Sequence, residues 1–290
     1  MTEGKYLKLK SGHRLWYAVH GGGVGLPLLV LHGGPGTGHD YLENLAKLSD
    51  ERTIIFYDQL GCGRSDKPDD NALWRIERFA DEVDEVRAQL GLQHLHILGQ
   101  SFGGYLLIEY LSRKPKGLAS VILASTASSM AQFSADIKKR VTQLPQHHQD
   151  ALCLYGAGSD FQHPNYVAAV DAFNRNFLCR IAELPDCIAR TGANVESSKS
   201  NSVMSGPNQF TVGGNMKDWD RSQEIRNIQI PALITCGEFD EIGPDCATAL
   251  HSALSNSELR VFDGCSHTAH LEDEENYLRV VREFLAKNDR

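Results

Sequence analysis

The hydrophobic pattern of the chain changes period several times. In YLKLKSGHRLWYAVHG (6–21) apolar and polar residues alternate on either side of Ser11 and Gly12, which predicts a β-hairpin. LPLLVLH (26–32) and RTIIFYD (52–58) are short, nearly continuous apolar runs, as expected of strands covered on both faces. In WRIERFADEVDEVRAQLG (74–91) the period becomes helical. Ile76, Phe79, Val83, Val86 and Leu90 fall in steps of three and four, and Gly91 supplies a stop. A strand (HLHILG, 94–99), a helix (GGYLLIEYLSRK, 103–114) and a strand (LASVILAS, 118–125) follow.

After Ser125 the rhythm stops for about a hundred residues, through a polar, helix-prone stretch carrying Pro145, Pro164, Pro185 and Pro207. It resumes at IQIPALITCGEFDE (228–241), then a helical run, the strand SELRVFDG (257–264) and a terminal helix, EENYLRVVREFLAK (274–287). Strands alternating with helices predict an α/β fold, a mostly parallel sheet with helices on both faces. The sheet needs the strands that follow the interruption, so residues 126–228 are expected to be an insertion over a core formed by 1–125 and 229–290. There are no internal repeats.

Composition narrows the classes. With 290 residues, 41% of them hydrophobic, the chain can bury a full core. No run approaches the roughly 18 apolar residues of a spanning helix, and the first thirty residues do not read as a signal peptide. Seven cysteines without a Cys-x-x-Cys pair argue against a disulfide framework or structural zinc and suggest a reducing cytoplasm. The net charge of −8, from 37 acidic and 29 basic residues without a basic block, opposes binding to nucleic acid. No metal-ligand spacing is present, and neither metal nor cofactor is expected.

Candidate chemistry begins at Gly99-Gln100-Ser101-Phe102-Gly103. This is Gly-x-Ser-x-Gly between a predicted strand and a predicted helix, the setting of a nucleophile elbow. The alternative is a glycine-rich turn with an incidental serine, so partners must decide. A serine hydroxyl needs a base, and a histidine serves when a carboxylate orients it. Behind an elbow the order is serine, acid, histidine. Asp240 follows the strand ALITCG, and His267 follows LRVF. Position favours them over Glu238, Glu241, Asp245 and Asp263 as acid and over His270 as base. The other ten histidines are cheaper to read as solvated or capping residues, His147 and His148 as a surface pair. An acyl-transfer site also needs oxyanion donors. LHGGPG (31–36) frees the backbone of Gly33 and Gly34, and the donors expected are the N–H groups of Gly34 and Phe102.

With HGGPG, YDQLGCGRSD, GQSFGG, GEFDE, CSH and SGPNQFTVGGNMKDWD, the chain resembles an α/β-hydrolase of the proline iminopeptidase family of serine peptidases, with the tricorn-interacting aminopeptidase as a close relative. The likeness runs over nearly the whole chain. It implies a helical cap over the site and hydrolysis of amide bonds after an N-terminal residue, often proline or a hydrophobic one. It also implies acidic side chains that hold the substrate ammonium. Glu241 matches one of them. At the second the family reads Gly-Pro-Asn-Glu-Phe, where this chain has Gly206-Pro207-Asn208-Gln209-Phe210, a neutral amide in place of a carboxylate. Gly33 belongs with Gln209 and Glu241 among the substrate-contacting positions. Trp219 either lines the cap or packs it, and Asp58 and Arg64 are architectural. The expected partner is therefore a small molecule or short peptide. The competing expectations are an ester, lactone or non-peptide amide substrate, because Gln209 weakens ammonium recognition, and a non-catalytic ligand-binding protein of the same fold.

Overall fold

The computed structural model describes residues 4–289. Eight strands form one sheet: β1 (Lys5–Lys8), β2 (Arg14–His20), β3 (Gly25–Leu31), β4 (Arg52–Tyr57), β5 (Leu95–Gln100), β6 (Leu118–Ala124), β7 (Ala232–Gly237) and β8 (Ser257–Phe262), in the order β1-β2-β4-β3-β5-β6-β7-β8. The predicted hairpin is β1–β2, and β2 also pairs antiparallel with β4; every later pair is parallel.

The strand period of two separates two cores. On β3, Leu28 and Val30 face one side, with Ile54, Phe56, Leu98 and Ile122. Leu29 and Leu31 face the other, with Ile55, Tyr57, Ile97 and Val121. The second side is covered by α1 (Ile76–Gln89), α2 (Phe102–Ser112) and, further along the chain, Cys246, Ala247 and Leu250. The first is covered by a 3-10 run (Asp40–Asp50) and the C-terminal helix.

Between β6 and β7 the chain runs through α3 (Met130–Val141), α4 (Gln146–Ala157), α5 (Pro164–Phe173), a π-helical turn (Asn174–Leu178), α6 (Asp186–Glu196) and α7 (Lys199–Met204). This insertion has its own apolar cluster, with Ile137, Leu152, Tyr166, Phe173 and Phe177. Its neck is stitched where Met130 N–H donates to the Trp219 carbonyl (3.0 Å) and Arg221 N–H to that of Ser128 (2.8 Å). After β7 come α8 (Pro244–Ala253), α9 (Ala269–Glu272) and α10 (Glu274–Lys287). Beyond α10, Asp289 accepts hydrogen bonds from Leu26 N–H and both terminal nitrogens of the buried Arg52, and pairs with His96 at 3.0 Å.

Candidate active site

The turn from β5 into α2 puts Ser101 at φ 56°, ψ −122°, a conformation few non-glycine residues adopt. Neighbouring glycines make it possible. A Cβ on Gly103 would sit 2.1 Å from the Leu31 carbonyl oxygen, and one on Gly99 2.2 Å from that of Gly103. Ser101 is tied by its N–H to the Ala124 carbonyl (2.9 Å), while its own carbonyl accepts from Gly104 N–H (2.8 Å) and Thr126 Oγ1 (3.0 Å). The backbone is thus held on all sides, and the hydroxyl stands at a helix N-terminus.

The Gly-Gly loop after β3 lies against this serine. Gly33 N–H donates to the Tyr41 hydroxyl (2.8 Å), which itself donates to Gln100 Oε1. A side chain at Gly33 would come within 3.0 Å of Ser101 Cβ. Among the described residues the N–H groups of Gly34 and Phe102 have no protein acceptor. They are the two N–H groups expected to serve as donors, while that of Gly33 is committed to Tyr41.

Asp240 and His267 meet as expected. His267 Nδ1 and Asp240 Oδ1 are 2.7 Å apart, both residues buried, and Asp240 Oδ1 also accepts from Ile242 N–H (2.9 Å). The His267 carbonyl accepts from Gln100 Nε2 (3.2 Å), the residue before the serine. On its other side, His267 Nε2 lies 3.8 Å from Glu241 Oε1. Among the described residues no hydrogen bond joins the imidazole to Ser101 Oγ, a distance that often closes only around a substrate. Burial works to lower the His267 pKa, but Asp240 and Glu241 outweigh it and lift it to about 9. Burial pushes the Glu241 carboxyl up to about 7 against the pull of His267, and among the described residues its buried Oε2 has no partner.

Three of the competitors for these roles, His270, Glu238 and Asp245, are engaged elsewhere. His270 is buried and 3.0 Å from the Tyr41 carbonyl, and burial drops its pKa to about 4. Glu238 accepts from Gly264 N–H, and Asp245 pairs with Lys139 on the surface. Asp58 takes hydrogen bonds from the backbone of His39 and Arg64, as an architectural residue should. Trp219 sits at the neck: its indole N–H donates to Glu109 Oε2 (3.0 Å) and its ring packs on Tyr105, 5.3 Å between centroids. Gln209 Nε2 donates to Asn174 Oδ1 (3.0 Å) at the start of the π-turn.

Several groups around the pair escaped the sequence reading. Arg140 of α3, buried, donates from Nε to the Asp240 carbonyl (2.8 Å) and from Nη2 to that of Glu238 (2.7 Å), gripping the acid loop. Its signal was available: Met130, Asp136, Ile137 and Arg140 share the buried face of α3, so two charged residues occupy apolar positions. Glu272 accepts from Ser266 N–H (2.7 Å), Thr268 Oγ1 (2.8 Å) and the Arg180 N–H (3.2 Å), bracketing His267. The Phe177 carbonyl in the π-turn accepts from both Glu241 N–H (3.1 Å) and His267 N–H (3.2 Å). No side-chain pattern announces a backbone acceptor of that kind.

Comparison with known proteins follows the same lines. The α/β hydrolase fold model matches residues 27–274. The proline iminopeptidase of Heyndrickxia coagulans is 34% identical over 98% of both chains, and that of Saccharolobus solfataricus 36% identical over 89% of this chain and 84% of its own. The crystal structure of the Mycobacterium smegmatis proline iminopeptidase superposes with a TM-score of 0.93 at 34% identity, covering 99% of each chain. The chain belongs to the α/β-hydrolase fold family and, within it, to the proline iminopeptidase family. It is accordingly an enzyme of the serine hydrolase class. Among the described residues no helix is long and apolar enough to cross a membrane, and no group of three or more His, Cys, Asp or Glu could hold a metal ion.

Proposed function

We propose that the protein is an aminopeptidase that releases a small N-terminal amino acid, proline or a hydrophobic residue, from a short peptide or amide through Ser101, His267 and Asp240. The observation that carries this reading is the buried Asp240–His267 pair with a second carboxylate, Glu241, 3.8 Å from the free imidazole nitrogen. A triad for acyl transfer needs only one acid. The extra buried carboxylate beside it suits a substrate that brings a positive charge close to its scissile carbonyl, as the α-ammonium of an N-terminal residue does.

In this mechanism Ser101 Oγ attacks the carbonyl carbon and passes its proton to His267 Nε2, while Asp240 fixes the tautomer and supports the imidazolium. The carbonyl π pair moves onto oxygen, where the N–H groups of Gly34 and Phe102 receive it; one such donor is typically worth about 10²–10³ in rate. Collapse breaks the C–N bond as His267 returns the proton to the leaving amine, and water then hydrolyses the acyl-enzyme by the same steps. No cofactor enters. Glu241 receives the ammonium, and Gln209 offers its Oε1 as a neutral acceptor, since its amide N–H is given to Asn174. Residues 126–228 act as the cap that closes the pocket, and the cytoplasm is the proposed location.

A panel of aminoacyl fluorogenic amides, each paired with its N-acetyl form and with a simple ester, tests the reading. Free-amine substrates should exceed their acetylated forms in kcat/KM by at least tenfold. The neutral Gln209 favours one other outcome, an ester, lactone or non-peptide amide hydrolase. Preference for the blocked or ester substrates would establish that and overturn the aminopeptidase reading.

A further inference from the structure

The contact between Glu241 and His267 has the wrong geometry for a carboxylate whose sole task is to wait for a substrate. Glu241 Oε1 faces Nε2, the nitrogen that must take the proton of Ser101, and not Nδ1, which Asp240 already occupies. The approach is built into the backbone. The Phe177 carbonyl accepts from the N–H groups of both residues, so the insertion sets one against the other. Meanwhile Ser101 Oγ has no hydrogen bond to the ring.

We infer that Glu241 is a brake on His267, holding a proton on Nε2 while the site is empty and releasing it when the substrate's ammonium takes over the same carboxylate. The inference rests on the aminopeptidase reading for its trigger but not for the brake itself. The charges balance. In the empty site an imidazolium faces Glu241; when an ammonium pairs with Glu241, Nε2 loses its counter-ion and its proton passes to solvent. One cation replaces another, and a neutral imidazole is left beside Ser101. A buried carboxylate can support one such cation fully, because each added charge must share the same desolvated oxygen atoms.

The groups facing His267 from the surrounding elements agree with this. Asp240 and Glu241 come from the loop after β7 and Glu272 from α9, all raising its affinity for a proton, while burial opposes them. Arg140 of α3 spends its guanidinium on the carbonyls of Asp240 and Glu238. Tyr105 of α2 is buried, its hydroxyl without a partner among the described residues, and burial, with the nearby carboxylates, holds it far up in its neutral form. Removing Glu241 therefore removes one of two main charges that keep Nε2 protonated.

Selection for an amine then appears in the chemical step as well as in binding. An acetylated substrate would meet a base still held charged, whatever its affinity. This distinguishes a brake from a passive ammonium site.

The test uses p-nitrophenyl acetate, an ester with no amine. In the wild-type enzyme its kcat/KM should rise with pH through a midpoint above the ordinary histidine range. In Glu241→Gln the midpoint should fall by about a unit or more, which is about tenfold more neutral imidazole at pH values below both midpoints. Ester hydrolysis near pH 7 should therefore increase several-fold, while hydrolysis of free aminoacyl amides falls. An unmoved midpoint, or an ester rate lowered at every pH, would overturn the brake. Should Glu241→Gln fail to fold, an NMR titration of His267 in the wild-type protein decides the same point, an ordinary midpoint being fatal. The trigger is read separately by calorimetry of Ser101→Ala with L-prolinamide near pH 8, in two buffers of different ionisation enthalpy. Proton release on binding supports it, and binding without release refutes it. Absence of any binding, together with preference for acetylated substrates, would instead count against the aminopeptidase reading and leave the ester midpoint to decide the brake.

Discussion

The two halves of the site are held in different ways. Ser101 and its proposed oxyanion donors are placed mainly by the core, through a strand, a tight turn, a helix and a glycine loop from the neighbouring strand, with Thr126 Oγ1 at the start of the insertion adding one hydrogen bond to the Ser101 carbonyl. His267 and the acid loop are placed from both sides, with Arg140 and Phe177 of the insertion bonded to the loops that follow β7 and β8 and Arg180 bonded to Glu272 of α9. The geometry of the proposed nucleophile comes mainly from the sheet; that of the proposed base is borrowed in part from the insertion. Changes in residues 126–228 should accordingly disturb proton transfer before they disturb the serine.

The largest expected effect lies on the core side. Ser101→Ala should lower kcat/KM by about 10⁴-fold or more and abolish labelling by a serine-directed phosphonate, with the circular dichroism spectrum unchanged. A labelled Ala variant would refute the nucleophile. On the borrowed side, Arg140→Gln should lower kcat by about ten- to a hundredfold with a small change in KM, because the acid loop loses two donors and the base its alignment. Its acid limb should move, which simple loss of stability would not cause, and Arg140→Lys should recover part of the rate. If instead KM changes and the pH profile stays fixed, the insertion does not hold the base.

Smaller effects sharpen the contrast. Gln209→Glu adds a charge within the insertion and should lower KM for free-amine substrates by about three- to tenfold, since charge-assisted contacts are roughly twice as strong as neutral ones. N-acetylated substrates should not respond. Far from both halves, Asp289 binds the N-terminal ends of the central strands, and although burial opposes ionisation, Arg52 and His96 hold its pKa down to about 2. Because the folded value lies below the unfolded one, its stabilising share is complete above about pH 4 and is lost as the pH falls through about 2. With the carboxylate partly open to solvent, Asp289→Asn should cost only about 1 kcal/mol at neutral pH, visible as a drop in Tm of about 2–4 °C with kcat unaltered.

The same division governs how much was legible in the sequence. The elbow could be read because local sterics dictate it: strand, small residue, serine, small residue, helix. Asp240 and His267 could be read because parallel strands deliver their following loops to one edge of the sheet. The hairpin, the amphipathic α1 and the interruption after β6 were legible by periodicity, and the structure has each of them. What supports the base was not, for different physical reasons. Glu272 acts through backbone and hydroxyl donors whose direction depends on a four-residue helix. Arg140 acts on carbonyls about a hundred residues away. Trp219 shows the limit from the other direction. An aromatic residue near the end of an insertion can face a pocket or a packing seam, and only the coordinates, with Glu109 at its indole nitrogen, place it at the seam.

The shared carbonyl of Phe177 has a consequence for how such an enzyme can diverge. A backbone oxygen is supplied by whichever amino acid occupies the position, so the link to the base carries no side-chain signature. Helices on either side could be exchanged, lengthened or recoloured to admit new molecules while the curve of that single turn persists. Specificity can thus drift without retuning the proton acceptor, and two relatives with dissimilar lids could share one chemistry.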